Sequence, residues 1–190
     1  MEKLRVGFAL TGSFCTFQKA VNQMEYFISM GAEILPIMSF NAYSIDTRFG
    51  DAESFRNKIE NLTGNKIIAT IKDAEPIGPK NLVDVMVVLP CTGNTLAKLA
   101  LGIYDTPVTL AVKSHLRNQK SVVIGVSSND SLSASAKNIG ALLNQKHYYF
   151  IPMSQDDPIK KPFSIVCDFD KAYKTAEYAL KGKQIEPIIF

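Results

Sequence analysis

No apolar run in this 190-residue chain approaches the roughly 20 residues that a bilayer span needs, because charge, Pro or Gly interrupts each one well before that. A transmembrane protein is therefore not expected. The opening MEKLRVGFALTG has a short apolar stretch but continues into TGSFCTFQKA without a small-residue cleavage site, so it reads as a first strand and turn, and a cytoplasmic location is expected. Cysteine is scarce. Cys15, Cys91 and Cys167 are odd in number, far apart and free of any C-x-x-C pair, which argues against a disulfide framework or a structural zinc site. Nor does either charge dominate: Lys and Arg number 21 against 18 Asp and Glu, a net charge of +3. The basic residues form no dense patch and have no base-stacking aromatics between them, so nucleic acid is not an expected partner, while a small anionic ligand stays open. Repeats, low-complexity segments and linkers are also missing, and 46% apolar content is too high for a disordered chain. What remains is one domain over residues 1–190 with room for a sizeable core.

What is present is an alternation of strand-like and helix-like stretches. Leu4 to Leu10 reads as a strand, and from Phe14 to Met30 the apolar residues Phe14, Phe17, Val21, Met24 and Ile28 follow the spacing of one helix face, ended by Gly31. Glu33 to Met38 reads as a second strand, followed by polar SFNAYSIDTRFG and a helix from Asp51 to Leu62. Residues 65 to 80 are ambiguous. Asp84 to Leu89 is nearly all apolar and rich in Val, as befits a central parallel strand buried on both faces. A turn at PCTGNT opens the next helix, and Thr106-Pro107 opens another that reaches about Arg117. Ser121 to Val126 and Tyr148 to Ile151 read as fourth and fifth strands, with SSNDS capping a helix to about Gln145 between them; Asp168 to Leu180 is a last helix. SQDDPIKKP at 154 to 162 reads as an exposed polar loop or lid. The pattern predicts an α/β fold with a doubly wound parallel sheet and right-handed crossovers, its ligand at the carboxyl ends of the strands.

Each of the first four strands runs into a polar turn: Thr11-Gly12-Ser13, Ser39-Phe40-Asn41, Pro90 to Thr95, and Ser127-Ser128-Asn129. Singly, such residues are as easily helix caps; four in register favour a cradle for a phosphate and a polar heteroaromatic ring. Missing signatures narrow the ligand. GFALTGS has Ser13 and Phe14 where a phosphate-binding loop needs its Lys and Ser/Thr, and no G-x-G-x-x-G or ribose-binding acid follows the strands. A mononucleotide such as FMN fits better, its phosphate at Thr11 to Ser13.

The segment Pro90-Cys91-Thr92-Gly93-Asn94-Thr95 resembles the P-A-S-A-N-T motif of the homo-oligomeric flavin-containing Cys decarboxylase family, which includes the FMN decarboxylases of lantibiotic and coenzyme A synthesis and the flavin prenyltransferases. By this resemblance Thr11, Gly12, Ser13, Ser39 and Asn129 fall at the family's other flavin turns. The runs TRFGDAESF (47 to 55), Glu75-Pro76-Ile77-Gly78-Pro79 and Ile151 to Pro158 with Lys160-Lys161-Pro162 are similar to one branch in particular. The resemblance implies a flavodoxin-like Rossmann three-layer sandwich, bound FMN and a homo-oligomer. It further implies work beside a separate subunit that carries NAD(P), oxidising a dihydrodipicolinate-type heterocycle to the pyridine dicarboxylate in the mother cell of a sporulating bacterium. Two departures matter: the decarboxylases' His before the third strand is absent from Glu75 to Lys80, and Val126-Ser127-Ser128-Asn129 replaces the family's P-x-M-N turn. Cysteine decarboxylation is therefore not expected.

Pro90, Thr92, Asn94 and Thr95 are the expected seat of the flat ligand, with Lys160 and Lys161 as candidate contacts to a dicarboxylate or as an ordinary solvated loop. No catalytic acid or base stands out. Cys91 reads as a small buried residue without a His partner. His115 reads as a surface or interface residue and His147 as a packed one, neither with metal-pair spacing, and Asp156-Asp157 before Pro158 reads as a turn. Three classes stay open: an oxidoreductase subunit, an independent flavin-dependent lyase or transferase, and a noncatalytic binding subunit with the flavin fold.

Overall fold

The computed structural model describes residues 3–190. Its strands are β1 (Arg5–Leu10), β2 (Glu33–Met38), β3 (Val85–Cys91), β4 (Val122–Ser128), β5 (Tyr148–Phe150), β6 (Met153–Asp157) and β7 (Lys161–Cys167). The helices are α1 (Phe17–Ser29), α2 (Phe40–Ser44), α3 (Ala52–Thr63), α4 (Ile71–Ala74), α5 (Gly93–Leu101), α6 (Pro107–Leu116), α7 (Ala136–Leu143) and α8 (Ala172–Leu180). Strands β2, β1, β3, β4 and β5 run parallel in that order, the doubly wound arrangement anticipated from the sequence. Chain direction across the sheet reverses between β1 and β3, and the crevice at such a switch point is where open α/β sheets bind ligands.

Buried strand residues explain the order. Val85, Met86, Val87, Val88 and Leu89 in β3 and Val122, Val123 and Ile124 in β4 are wholly enclosed, so these strands take the centre with helices on both faces. Helix α1 begins after a 3-10 turn at Phe14–Thr16 and packs Phe17, Val21, Met24 and Phe27 into the core; Gly31, at φ +87°, ends it in the left-handed conformation. Asp51 caps α3 by accepting from Ser54 N at 2.7 Å, and Thr106 with Thr109 forms a capping box at the start of α6.

Several expectations are corrected. The 154 to 162 stretch is no loop: β6 and β7 form an antiparallel hairpin whose tight turn is fixed by Asp157 Oδ1, which accepts from the backbone of Ile159 and Lys160. The hairpin joins the sheet because the edge of β4 that faces away from β3 has two partners. Its first half, Val122 to Ile124, pairs with β5, and its last residues, Ser127 and Ser128, pair antiparallel with Val166 and Ile165 of β7. Residues 40 to 44 form a short helix capped by Ser39. SSNDS does not cap α7, which starts at Ala136 after a run of turns. His115 is buried, 1% exposed, with its Nε2 3.0 Å from the Ser121 carbonyl, because α6 turns that face onto the sheet. His147 is half-buried in the turn before β5, at φ +71°. No helix among the described residues is long and apolar enough to cross a membrane.

Candidate functional site

A cavity of about 960 Å³ opens at the carboxyl ends of β1, β3 and β4. Its floor is the junction of two turns. Thr11, at the end of β1, donates from Oγ1 to the Pro90 carbonyl at 2.8 Å and accepts from Thr92 N at 3.0 Å, so the turns after β1 and β3 are locked together across the switch point. Thr92 then caps α5, its Oγ1 accepting from Thr95 N at 3.4 Å.

Gly93 lies against the turn after β4. Its N–H donates to Ser128 Oγ at 3.1 Å. The Asp130 carboxylate accepts from Ser128 Oγ and from Ser135 Oγ, the latter at 2.8 Å. A Cβ on Gly93 would overlap that carboxylate and lie 2.7 Å from Ser135 Oγ, so the close approach of the two turns requires glycine. On the other wall three hydroxyls cluster: Ser13 Oγ is 2.9 Å from Ser127 Oγ, and Thr16 Oγ1 donates to the Ser13 carbonyl at 2.8 Å and lies 3.5 Å from Ser127 Oγ.

The structure brings Gly12, Ser13, Thr92, Asn94, Asn129 and Lys161 of the anticipated residues to the cavity wall. Asn94 and Asn129 are exposed, and neither amide makes a side-chain hydrogen bond among the described residues. Five others are not on the wall. Thr11, 1% exposed, and Pro90 are enclosed beneath it, and Thr95 is buried with its hydroxyl 3.2 Å from that of Thr92. Ser39 is spent on capping α2, accepting from Ala42 N at 3.3 Å. Lys160 stands at the hairpin tip, away from the wall, because its backbone completes the Asp157 turn. Lys161 reaches the cavity but is paired with Asp156 at 2.6 Å, and that hydrogen bond raises its pKa.

Residues to which the sequence attaches no ligand role also line the wall, among them Phe14, Cys15 and Lys19 after β1, Arg48 and Phe49 before α3, Asp130, and Ser164 on the hairpin. Arg48 and Phe49 lie in the TRFG run, so the signal was present without a role attached. Lys19 is the third residue of α1, which follows the Thr11 to Ser13 turn after the 3-10 turn at Phe14–Thr16. Cys91 is wholly buried at the end of β3, where burial pushes its thiol pKa far above the ordinary value, so it is no nucleophile. Among the described residues no group of three His, Cys, Asp or Glu could hold a metal ion.

The flavoprotein family model matches residues 1–179. The chain belongs to the flavoprotein family. It is 45% identical to the dipicolinate synthase B subunit of Bacillus subtilis strain 168, over 97% of this chain and 92% of that protein. The crystal structure of the corresponding B subunit of dipicolinate synthase from Bacillus halodurans superposes with a TM-score of 0.91 at 40% identity, covering 100% of this chain and 98% of that one. The fold is also that of an FMN-dependent cysteine decarboxylase, at a TM-score of 0.70 and 23% identity over 94% of this chain and 97% of the other.

The residues of this flavoprotein suit a flavin mononucleotide. The hydroxyls of Ser13 and Ser127, braced by Thr16, make a neutral cluster that can donate to a phosphate, and the uncommitted amides of Asn94 and Asn129 each offer both a donor and an acceptor to a ring edge. Of the two acidic residues on the wall, Asp156 is charge-paired with Lys161, and the Asp130 carboxylate accepts from two serine hydroxyls.

Proposed function

We propose that this flavoprotein is the B subunit of a dipicolinate synthase: with an A subunit that binds NAD(P), it oxidises dihydrodipicolinate, or its hydroxytetrahydro precursor with loss of water, to dipicolinate. The end-to-end relationship to the Bacillus proteins carries this reading. Residues 1–190 act as one flavoprotein-like domain in the cytoplasm of a spore-forming cell. FMN is held by Gly12, Ser13, Thr92, Asn94 and Asn129, with Thr11, Ser39, Pro90 and Thr95 shaping the turns beneath. When bound, the flavin would supply redox chemistry beside a ring whose loss of hydride and proton is driven by aromatisation, the electron pair ending on the NAD(P) of the A subunit.

The protein's own contribution is positional. Gly93 lets the turns after β3 and β4 close on one another, Asp130 holds Ser128 against the Gly93 N–H, and Asn94 and Asn129 orient a flat ring above them. Lys19 and Arg48 supply the positive charge that a dianionic substrate requires; no ion pair engages either among the described residues. The hairpin β6–β7 covers one side, excluding water from the ring. No histidine lines the cavity, which disfavours an independent decarboxylase. Several copies assemble, as the family's homo-oligomeric habit implies, and Leu101, 71% exposed at the end of α5, is an apolar group that such assembly would cover.

Reconstitution tests the reading. The purified chain and its A subunit together are expected to form dipicolinate from the dihydro compound, followed by ultraviolet absorbance of the product, with neither one sufficient alone. Full turnover by the A subunit in the absence of this chain would exclude it.

A further inference from the structure

The TRFG run, which carries Arg48, folds into a turn whose geometry fixes where that charge stands. Thr47 and Gly50 bond reciprocally, Thr47 N to the Gly50 carbonyl at 3.0 Å and Gly50 N to the Thr47 carbonyl at 3.1 Å. Phe49 N donates to Thr47 Oγ1 at 3.2 Å, and Asp46 Oδ1 accepts from Ala52 N at 2.8 Å, tying the turn to the start of α3. Gly50 sits at φ +142°, and a Cβ there would lie 2.7 Å from the Phe55 ring. Backbone bonding of this density on a four-residue turn fixes where its two central side chains emerge. Both emerge on the cavity wall.

Arg48 and Phe49 are a pair. The guanidinium lies 4.9 Å from the Phe49 ring centroid, and Phe49 is 46% exposed. Among the described residues Arg48 makes no ion pair and no side-chain hydrogen bond, whereas Lys161, the cation to which the sequence points, is neutralised by Asp156. A planar fork of N–H donors beside an aromatic face matches a flat ring bearing a carboxylate: the fork takes both carboxylate oxygens while the ring stacks.

We propose that the Thr47–Gly50 turn is the substrate-recognition element of the cavity, with Arg48 pairing to a ring carboxylate and Phe49 stacking on the face of an aromatic or dihydroaromatic dicarboxylate. This rests on the dicarboxylate reading of the proposed function and adds to it the turn that aims Arg48 and the Phe49 ring that selects a flat substrate. Phosphate is the other anion that Arg48 would attract, and the test separates the two.

The full-length chain, loaded with FMN, is titrated by calorimetry with pyridine-2,6-dicarboxylate. Arg48→Ala is expected to weaken binding about tenfold or more, with Arg48→Lys recovering part of it. Phe49→Ala is expected to weaken binding and Phe49→Tyr to preserve it. Affinity for FMN, read from quenching of flavin fluorescence, is expected to be unchanged in all four variants, and their thermal midpoints likewise, since both side chains are at the surface. Dicarboxylate binding unaltered by Arg48→Ala overturns the inference and leaves the proposed function standing. Loss of FMN affinity in Arg48→Ala assigns the residue to the cofactor phosphate and also overturns it. Failure of the wild-type chain to bind the dicarboxylate removes the dicarboxylate reading and this inference together.

Discussion

At Gly93 one added methyl group would press on three side chains that hold the turn after β4: Asp130, Ser135 and Ser128. All three belong to one hydrogen-bonded cluster, so Gly93→Ala is expected to push that turn outward and carry Asn129 with it. Asn94 and Asn129 differ in kind, because they are exposed and bonded to nothing else among the described residues. Asn94→Ala and Asn129→Ala should leave the thermal midpoint near that of the parent while lowering FMN affinity about fivefold or more each, the effect of one lost hydrogen bond; Gly93→Ala should lower both. Flavin fluorescence titration and a melting curve on the same samples separate the two patterns. Much of the cavity was legible: the polar turns after successive strands mark the end of the sheet where it opens, and Asn94 and Asn129 stand in them. Asp130 was not, since a carboxylate beside an expected phosphate looks unfavourable until its two serine donors are seen.

Among the elements, the hairpin β6–β7 departs furthest from what the sequence suggests. Its residues Ser154, Gln155, Asp156 and Asp157, then Lys160 and Lys161, have neither the apolar alternation nor the β-branched content of a strand, and their pairing is imposed from outside. Ser127 and Ser128 at the free end of β4 supply an edge that β7 completes, and β6 pairs onto β7. The same hairpin positions Asp156 against Lys161, with Lys161 largely solvated. An exposed pair of this kind adds little to stability. Asp156→Asn is therefore expected to leave the melting curve unchanged while freeing a cation on the cavity wall, so pyridine-2,6-dicarboxylate should bind more tightly than to the parent chain; weaker binding would contradict the placement of Lys161. The central strands behave oppositely. Runs such as VMVVL and VVIGV are apolar on both faces, which leaves only the middle of a parallel sheet open to them.

For the whole molecule, His115 and Asp84 are two buried or half-buried groups that contribute to the response to acid. Burial lowers the His115 pKa to about 4 against the favourable bond to the Ser121 carbonyl, so the folded state keeps the ring neutral where the unfolded chain would protonate it. Stability from this residue is complete above the ordinary histidine value, about 6.5, and is lost as pH falls towards 4. Asp84 is partly buried, which by itself would raise its pKa, but the Arg5 side chain and backbone and then Lys120 overcome this and hold it at about 2. Its contribution, on the order of 2 kcal/mol, is present above the ordinary carboxylate value and fades between about pH 4 and 2. Urea unfolding at successive pH values should therefore show one decline from pH 6.5 to 4 and a further one below it. His115→Gln is expected to abolish most of the first and Asp84→Asn most of the second.

What the sequence alone determined was the parallel sheet and the end of it at which the cavity opens, because these follow from local apolar patterning and from polar turns that repeat after the first four strands. Tertiary structure decided which members of those turns reach the wall. Thr11 and Thr95 are enclosed because the β1 and β3 turns lock across the switch point, and Lys160 is turned away by a hairpin whose register β4 sets. It also brought Arg48 and Phe49, far in sequence from Asn94 and Asn129, to the same cavity. Residues that converge from four separate connections share no spacing along the chain, so only the packing of the sheet could reveal that they meet.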